Sequence, residues 1–214
     1  MKRIIEGDME KVSEFTVRRL SGYFRILADL EQNDVVTVSS ARLGELGGVT
    51  SAQVRKDLSY FGNFGTRGLG YKVSDLKNTI MKILGLKKEW KMALFGAGSL
   101  GRALFFHDGF KEDGFFFTRI FDTDPAKIGA SWGNIRIQPV SEAEESLQND
   151  PVNIGVVTTP KSAAQATVDL MVRVGVKGVL NFAPVRVEIP SEIWLRNVNL
   201  AVALESLSFY MSSQ

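Results

Sequence analysis

The chain has 214 residues, of which 44% are apolar and 23% charged, and a formal net charge of +2; this is enough for one large domain or two small ones, each with its own core. Cysteine is absent, which excludes disulfides, thiolate nucleophiles, cysteine-based zinc sites and thiol redox switches, and suits a reducing cytoplasm. The opening Met1-Lys-Arg-Ile-Ile-Glu-Gly-Asp8 lacks the apolar core of an export signal, and no later run approaches the roughly 18 apolar residues of a membrane span; a cytoplasmic protein without membrane contact is expected. The charge is uneven. Residues 1–90 carry 15 Lys and Arg against 11 Asp and Glu, and residues 91–214 carry 11 against 13, giving +4 and −2. A basic N-terminal part fits a nucleic-acid partner and equally an ordinary solvated surface.

Over residues 13–30, Val17, Leu20, Phe24 and Leu27 recur at three- and four-residue steps, the spacing of one helix face. Asn33-Asp34 stops this helix, residues 35–38 read as extended, and Ser39-Ser40 supplies an N-cap for a brief helix ending near Gly47-Gly48. Thr50 caps a third helix, on which Val54, Leu58 and Phe61 share one face and Gln53, Lys56 and Tyr60 another. One stripe can enter a core while the other faces a groove. Glycines at 62, 65, 68 and 70 forbid a helix over residues 61–71 and predict a tight basic hairpin with positive φ angles. This is the order of a winged helix-turn-helix, closed by a helix carrying Leu76, Ile80, Ile83 and Leu84, with residues 85–90 as the junction. The candidate DNA contacts are Ser51, Gln53, Arg55, Lys56 and Tyr60 on the third helix and Arg67 in the wing. Arginine and lysine in the major groove can donate to guanine or bind phosphate, and a basic wing can follow the backbone or minor groove. The alternative is a solvated charged face beside a turn.

Met92-Ala-Leu-Phe-Gly-Ala-Gly-Ser-Leu-Gly101 then sets three glycines between a short apolar strand and an apolar helix, the place of a dinucleotide fingerprint. Gly96 makes the turn, Gly98 lets a pyrophosphate approach and Gly101 lets helix and strand pack closely; with Ala97, Ser99 and Leu100 they are candidate cofactor contacts, the helix-start N–H groups holding phosphate. Candidate strands at 115–121, 153–158 and 178–182 alternate with helical patterns, which implies a Rossmann-like, doubly wound parallel sheet. Asp122, closing the second strand, can accept hydrogen bonds from a ribose and would repel a 2′-phosphate, favouring NAD(H) over NADP(H); in Asp-Thr-Asp-Pro it can also be a plain turn residue. Ser141-Glu-Ala-Glu144 reads as a capping box, and Pro160 as a first-turn residue of a helix reaching about Val174. Thr158, Thr159 and Pro160, and further on Asn181, Phe182, Ala183 and Pro184, fall at the carboxyl edge of the sheet, where ligands of open α/β folds bind. His107, the sole histidine, is either the proton-transfer group of a hydride-transfer enzyme or an ordinary residue about two turns into the glycine-loop helix. No catalytic set and no metal site is recognisable. Leu200, Leu204, Leu207 and Met211 form a terminal apolar stripe that covers its own sheet or a partner subunit. The residues alone leave open an NAD-dependent dehydrogenase with an accessory domain and a CoA- or nucleotide-binding module.

The run Gln53-Val-Arg-Lys-Asp-Leu-Ser-Tyr-Phe-Gly-Asn-Phe-Gly-Thr-Arg-Gly-Leu-Gly-Tyr71, the glycine loop, Phe121-Asp-Thr-Asp-Pro125 and Gly178-Val-Leu-Asn-Phe-Ala-Pro184 together resemble the Rex family of bacterial redox-sensing transcriptional repressors, in order and over nearly the whole chain. The resemblance implies a non-enzymatic homodimer with a winged-helix DNA-binding domain (1–88), a Rossmann NAD(H) domain (89–199) and a domain-swapped helix (200–214). It also implies binding to inverted-repeat operators, with NADH favouring a closed dimer that leaves DNA and NAD⁺ competing with it. Lys56 and Arg67 would touch DNA, the glycine loop and Asp122 would hold the adenosine diphosphate half, and Thr158 to Pro160 and Asn181 to Pro184 would lie near the nicotinamide, with Leu200 a further contact. Three positions depart from the family pattern: His107 replaces a tyrosine, Thr159 a valine, and Asn199 an aspartate that can pair with the arginine corresponding to Arg25.

Overall fold

The computed structural model describes residues 12–66 and 68–212; Arg67, and the ends of the expected first and last domains at 1–11 and 213–214, lie outside the described residues. The chain divides into two compact units after Lys88. No helix among the described residues is long and apolar enough to cross a membrane.

The first unit opens with α1 (Glu14–Gln32), whose N-cap Ser13 accepts from the Thr16 N–H. Its buried residues are Thr16, Leu20, Tyr23 and Leu27. The expected stripe is therefore rotated: Val17 is 43% exposed and Phe24 only half-buried, because Thr16 and Tyr23 find a polar partner inside the unit. Asp34, at φ 58°, follows the end of the helix. Next come β1 (Thr37–Val38), α2 (Ser40–Leu46) and α3 (Ser51–Ser59), with the Ser39 and Thr50 hydroxyls capping the two helices as their sequences predict. β2 (Tyr71–Lys72) pairs antiparallel with β1 through Val38 and Tyr71, so the strand partner of the extended run lies beyond the glycine-rich loop. The loop is closed by a single bridge between Thr66 and Gly70, and its glycines at 62, 65, 68 and 70 all have positive φ. α4 (Val73–Ile83) packs Val73, Leu76 and Ile80 against Leu20, Leu27, Leu43, Val54 and Leu58.

The second unit contains β3 (Trp90–Phe95), α5 (Ser99–Phe105), α6 (Asp108–Glu112), β4 (Phe115–Asp122), β5 (Ser131–Trp132), β6 (Ile135–Pro139), α7 (Ala143–Asn149), β7 (Ile154–Val157), α8 (Lys161–Arg173), β8 (Gly178–Asn181), β9 (Trp194–Asn197) and α9 (Leu200–Ser212). The sheet order is β5-β6-β4-β3-β7-β8-β9, parallel throughout except for β5 on β6. β3 is buried on both faces: Ala93 and Phe95 join one cluster with Phe121, Leu147, Val157 and Met171, while Met92 and Leu94 join another with Ile120, Ile137 and Val156. That continuous apolar run is the mark of a parallel strand covered by helices on both sides.

Local expectations are corrected here. Trp90 begins β3 instead of closing the junction. Ser141 lies in a single 3₁₀ turn (Val140–Glu142), and the N-cap of α7 is Glu142 without a side-chain bond, so the capping box does not form. Pro160 stands one residue ahead of its helix. The strands β5, β6 and β9 carry too little apolar sequence to signal themselves. Residues of α9 are all exposed.

Candidate functional site

The chain leaves β3 and turns at Gly96, with φ +100° and with the Thr158 carbonyl oxygen 2.7 Å from where a Cβ would stand, so only glycine fits. At Gly101 a Cβ would come within 2.2 Å of the Gly96 carbonyl oxygen; α5 packs on the turn because no side chain intervenes. Gly98 instead has open space at its Cα, beside the first N–H groups of α5, which lack intrahelical acceptors and favour an anion. Ala97 is buried, and Ser99 and Leu100 are exposed at the mouth of the loop.

Asp122 is 6% exposed. Its Oδ2 accepts from the Ala97 N–H at 2.6 Å and from Lys127 Nζ at 3.4 Å, and its Oδ1 accepts from the Asp124 N–H at 2.8 Å. Burial alone would raise the carboxyl, but the Asp124 and Ala97 amides and the Lys127 ammonium outweigh it and hold the group below its ordinary value. The carboxylate thus stays ionised, shapes its own turn and fastens the glycine loop to the end of β4. On the other side the Thr158 hydroxyl donates to the Gly96 carbonyl at 2.7 Å.

These groups border a cleft of about 660 Å³, lined by Gly96, Gly98, Asp122, Thr123, Asp124, Lys127, Val140, Thr158, Thr159 and Pro160, with Ala163, Ala166, Thr167 and Leu170 on α8. It opens where strand order reverses between β3 and β7, the ligand position of this architecture. Thr123, Asp124, Lys127, Val140 and the α8 residues are absent from the candidates that motif and spacing supply. A signal existed for the last: small residues at i, i+3 and i+4 directly after Pro160. The Thr159 hydroxyl is buried without a hydrogen-bond partner.

Other candidates fall elsewhere. Asn181 is buried with its amide engaged inside the protein: Nδ2 donates to the Val185 carbonyl at 3.0 Å and to Asn197 Oδ1 at 2.8 Å, and Oδ1 accepts from the Ala183 N–H at 2.9 Å. Phe182 is half-buried, Ala183 buried and Pro184 exposed, and none of this run lines the cleft. Leu200 opens the exposed α9, after Asn199, whose Oδ1 accepts from the Ala201 N–H. His107 is not a residue within the glycine-loop helix. α5 ends at Phe105, and His107 is the N-cap of α6, its Nδ1 accepting from the Gly109 N–H at 3.1 Å and its ring stacked on Phe110. Nδ1 is thus engaged within its own turn, and His107 does not line the cleft.

In the first unit α3 presents Arg55 and Lys56 to solvent, with Ser51 half-buried at its start and Tyr60, expected on the helix, exposed at its C-cap instead. Arg55 Nη1 donates to Ser40 Oγ at 3.0 Å, at a groove shared by the start of α2 and the glycine-rich loop. Gln53 is corrected: its amide donates to Asp57 Oδ1 at 2.8 Å and so faces into the unit. Asp57, which no motif or spacing singles out, is buried on α3 against Arg19 and Tyr23 of α1. Burial would raise this carboxyl; Arg19, with Gln53 and Tyr23, holds it below its ordinary range.

A winged-helix unit followed by a Rossmann unit whose glycine loop is tied to a buried aspartate defines a class of two-domain protein, a nucleotide-type cleft joined to a helix-turn-helix module. Residues 11–59 match a family model described as "Putative DNA-binding protein N-terminus" and residues 87–185 one described as "CoA binding domain". The chain is 47% identical over 204 residues to a redox-sensing transcriptional repressor Rex of Desulfitobacterium hafniense, covering 95% of this chain and 97% of that one. A crystal structure of RSP in complex with β-NAD⁺ and operator DNA matches with a TM-score of 0.91 at 38% identity, over 94% of this chain and 93% of RSP. RSP in complex with β-NADH matches with a TM-score of 0.88 at 37% identity, over 94% and 95%. The chain belongs to the Rex family of redox-sensing transcriptional repressors, which are not enzymes.

Proposed function

We propose that the chain is a cytoplasmic homodimeric repressor that binds inverted-repeat operator DNA through α3 and the glycine-rich wing, and is released from it by NADH. The observation that carries this reading is the cleft at the β3–β7 reversal, built on the Gly96–Asp122 tie, in a chain whose relative RSP has been crystallised with NADH and with NAD⁺ plus operator DNA. The cradle fits a dinucleotide: Gly98 leaves room for the pyrophosphate against the α5 N–H groups, and Asp122 keeps a negative charge where a 2′-phosphate would come. Thr158, Thr159 and Pro160 are assigned to the nicotinamide end. The nicotinamide ring is cationic when oxidised and neutral when reduced, so one pocket can favour one redox state without any chemistry. A difference in affinity between two arrangements of the dimer then moves the equilibrium between them.

Two copies of the chain are joined in this reading by α9, whose Leu200, Leu204, Leu207 and Met211 are exposed, and a two-fold dimer matches a two-fold operator. Lys56 is assigned a direct DNA contact, as is Arg67. The test is fluorescence anisotropy of the full chain on an inverted-repeat duplex at fixed salt, since salt alone shifts such affinities strongly. NADH should release the duplex and NAD⁺ should not; Lys56→Ala should weaken duplex binding with NADH affinity intact, and Asp122→Asn the reverse. Binding indifferent to both dinucleotides sinks the sensing assignment. Tight calorimetric binding of CoA with none of NADH would favour the module reading instead.

A further inference from the structure

Asp57 is buried in the middle of α3, between the exposed Lys56 and the core residue Leu58. Arg19 of α1 meets it with a fork, Nε donating to Oδ2 at 2.6 Å and Nη2 to Oδ1 at 2.7 Å. The Tyr23 hydroxyl donates to Oδ2 at 2.9 Å, the Gln53 amide to Oδ1 at 2.8 Å and the Thr16 hydroxyl to Oδ1 at 3.5 Å. Thr16, Arg19 and Tyr23 stand at i, i+3 and i+7, a single face of α1.

A fork on a carboxylate fixes distance and rotation together, which apolar contact does not, since rotamer changes let packed side chains slide. Buried ion pairs are poor contributors to stability relative to apolar residues of equal volume; where they are retained, one attested use is to fix a register. Here the paired residue is the immediate neighbour of Lys56, so its placement sets where the outer face of α3 points. We propose that the Arg19–Asp57 fork, closed by Tyr23 and Gln53, is a positioning device that sets the rotation of α3 on α1 and thereby aims Arg55 and Lys56 at operator bases. Arg19, Tyr23 and Asp57 are positioning residues and do not touch DNA. The inference rests on the reading of α3 as the recognition helix.

The experiment compares the full-length chain with Arg19→Lys and with Arg19→Met/Tyr23→Phe/Asp57→Leu, which replaces the polar cluster by apolar groups. Anisotropy is measured at one salt concentration on the inverted-repeat duplex that the wild-type chain selects from a random pool, and on a scrambled duplex of the same composition. Circular dichroism melts and NADH affinity report folding. The triple variant should keep its affinity for the scrambled duplex and lose about tenfold or more on the selected one, the loss expected when a base contact is displaced; Arg19→Lys should move the same way by less. Partial unfolding would weaken both duplexes in proportion, so the ratio separates aiming from stability. A folded variant with the wild-type ratio overturns the proposal, and Arg19→Lys alone decides it if the triple variant does not fold. A wild-type chain that prefers no duplex defeats the recognition-helix reading instead.

Discussion

Among the described residues each unit carries one buried aspartate, Asp57 in the first and Asp122 in the second, and the two are held in opposite ways. Asp122 is held largely by backbone amides of its own neighbourhood, Ala97 and Asp124, with Lys127 at the more distant 3.4 Å. Asp57 has no such amides among its partners; it depends on side chains, chiefly from another helix. The loop around Asp122 holds its form by local geometry, whereas the placement of α3 depends on long-range partners that can be removed one at a time. If α3 reads the operator as proposed, Asp57 sets its aim through distant side chains while Asp122 keeps the cleft in shape through local amides.

The largest expected effect exploits this asymmetry. Arg19→Met leaves Asp57 buried without its compensating charge and should destabilise the first unit by about 3–5 kcal/mol. Lys127→Met removes a cation that is 39% exposed and leaves both amides in place, so about 0–1 kcal/mol is expected. The molecule provides its own reporters, because its three tryptophans, Trp90, Trp132 and Trp194, all lie in the second unit. Under urea, Arg19→Met should shift the transition seen by circular dichroism but not by tryptophan fluorescence. Equal shifts in both signals would mean that the units unfold together and the contrast fails.

Acid should expose a moderate effect with the same geography. Asp57 and Asp122 are both held below ordinary values, as is Asp150 by Lys91 and Arg119. Each therefore contributes stability that is complete above the unfolded-state pKa, about 3.9, and is lost as the pH falls through the lower folded-state value. Both transitions should weaken below about pH 4. Asp57→Asn should flatten that dependence for the first unit while the tryptophan-detected transition keeps it. A tryptophan-detected transition that flattens as well would show the carboxyls to be coupled across the chain.

The same contrast explains what was legible in the sequence. The winged-helix order, the glycine loop, Asp122 at the end of its strand and the Ser39 and Thr50 caps depend on residues close together in the chain, and each is found as read. Arg19 and Tyr23 meet Asp57 from 38 and 34 positions away, and no periodicity reports such a pairing. For this reason Gln53 looks groove-facing by helical spacing when its amide is engaged within the unit, and on α1 Val17 and Phe24 are read into the buried stripe beside Leu20 and Leu27 where Thr16 and Tyr23 in fact belong. His107 falls outside the glycine-loop helix for a smaller reason: α5 stops early at Phe105, and a histidine acting as N-cap carries none of the usual capping residues' signal.

The smallest expected effect concerns the one candidate contact left unsatisfied. Every oxygen of Asp57 and Asp122 has a donor, but the Thr159 hydroxyl is buried beside the cleft with no partner. Thr159→Val keeps the shape and removes that buried polar group, so without ligand the second unit should gain about 1 kcal/mol, read from the tryptophan-detected urea midpoint. Because a ligand that binds only the folded state stabilises it in proportion to its affinity, a hydroxyl used by the dinucleotide predicts a smaller NADH-induced midpoint shift in the valine variant than in the wild type. An unchanged shift would make Thr159 a packing imperfection of the cleft wall and return the nicotinamide assignment to Thr158 and Pro160 alone.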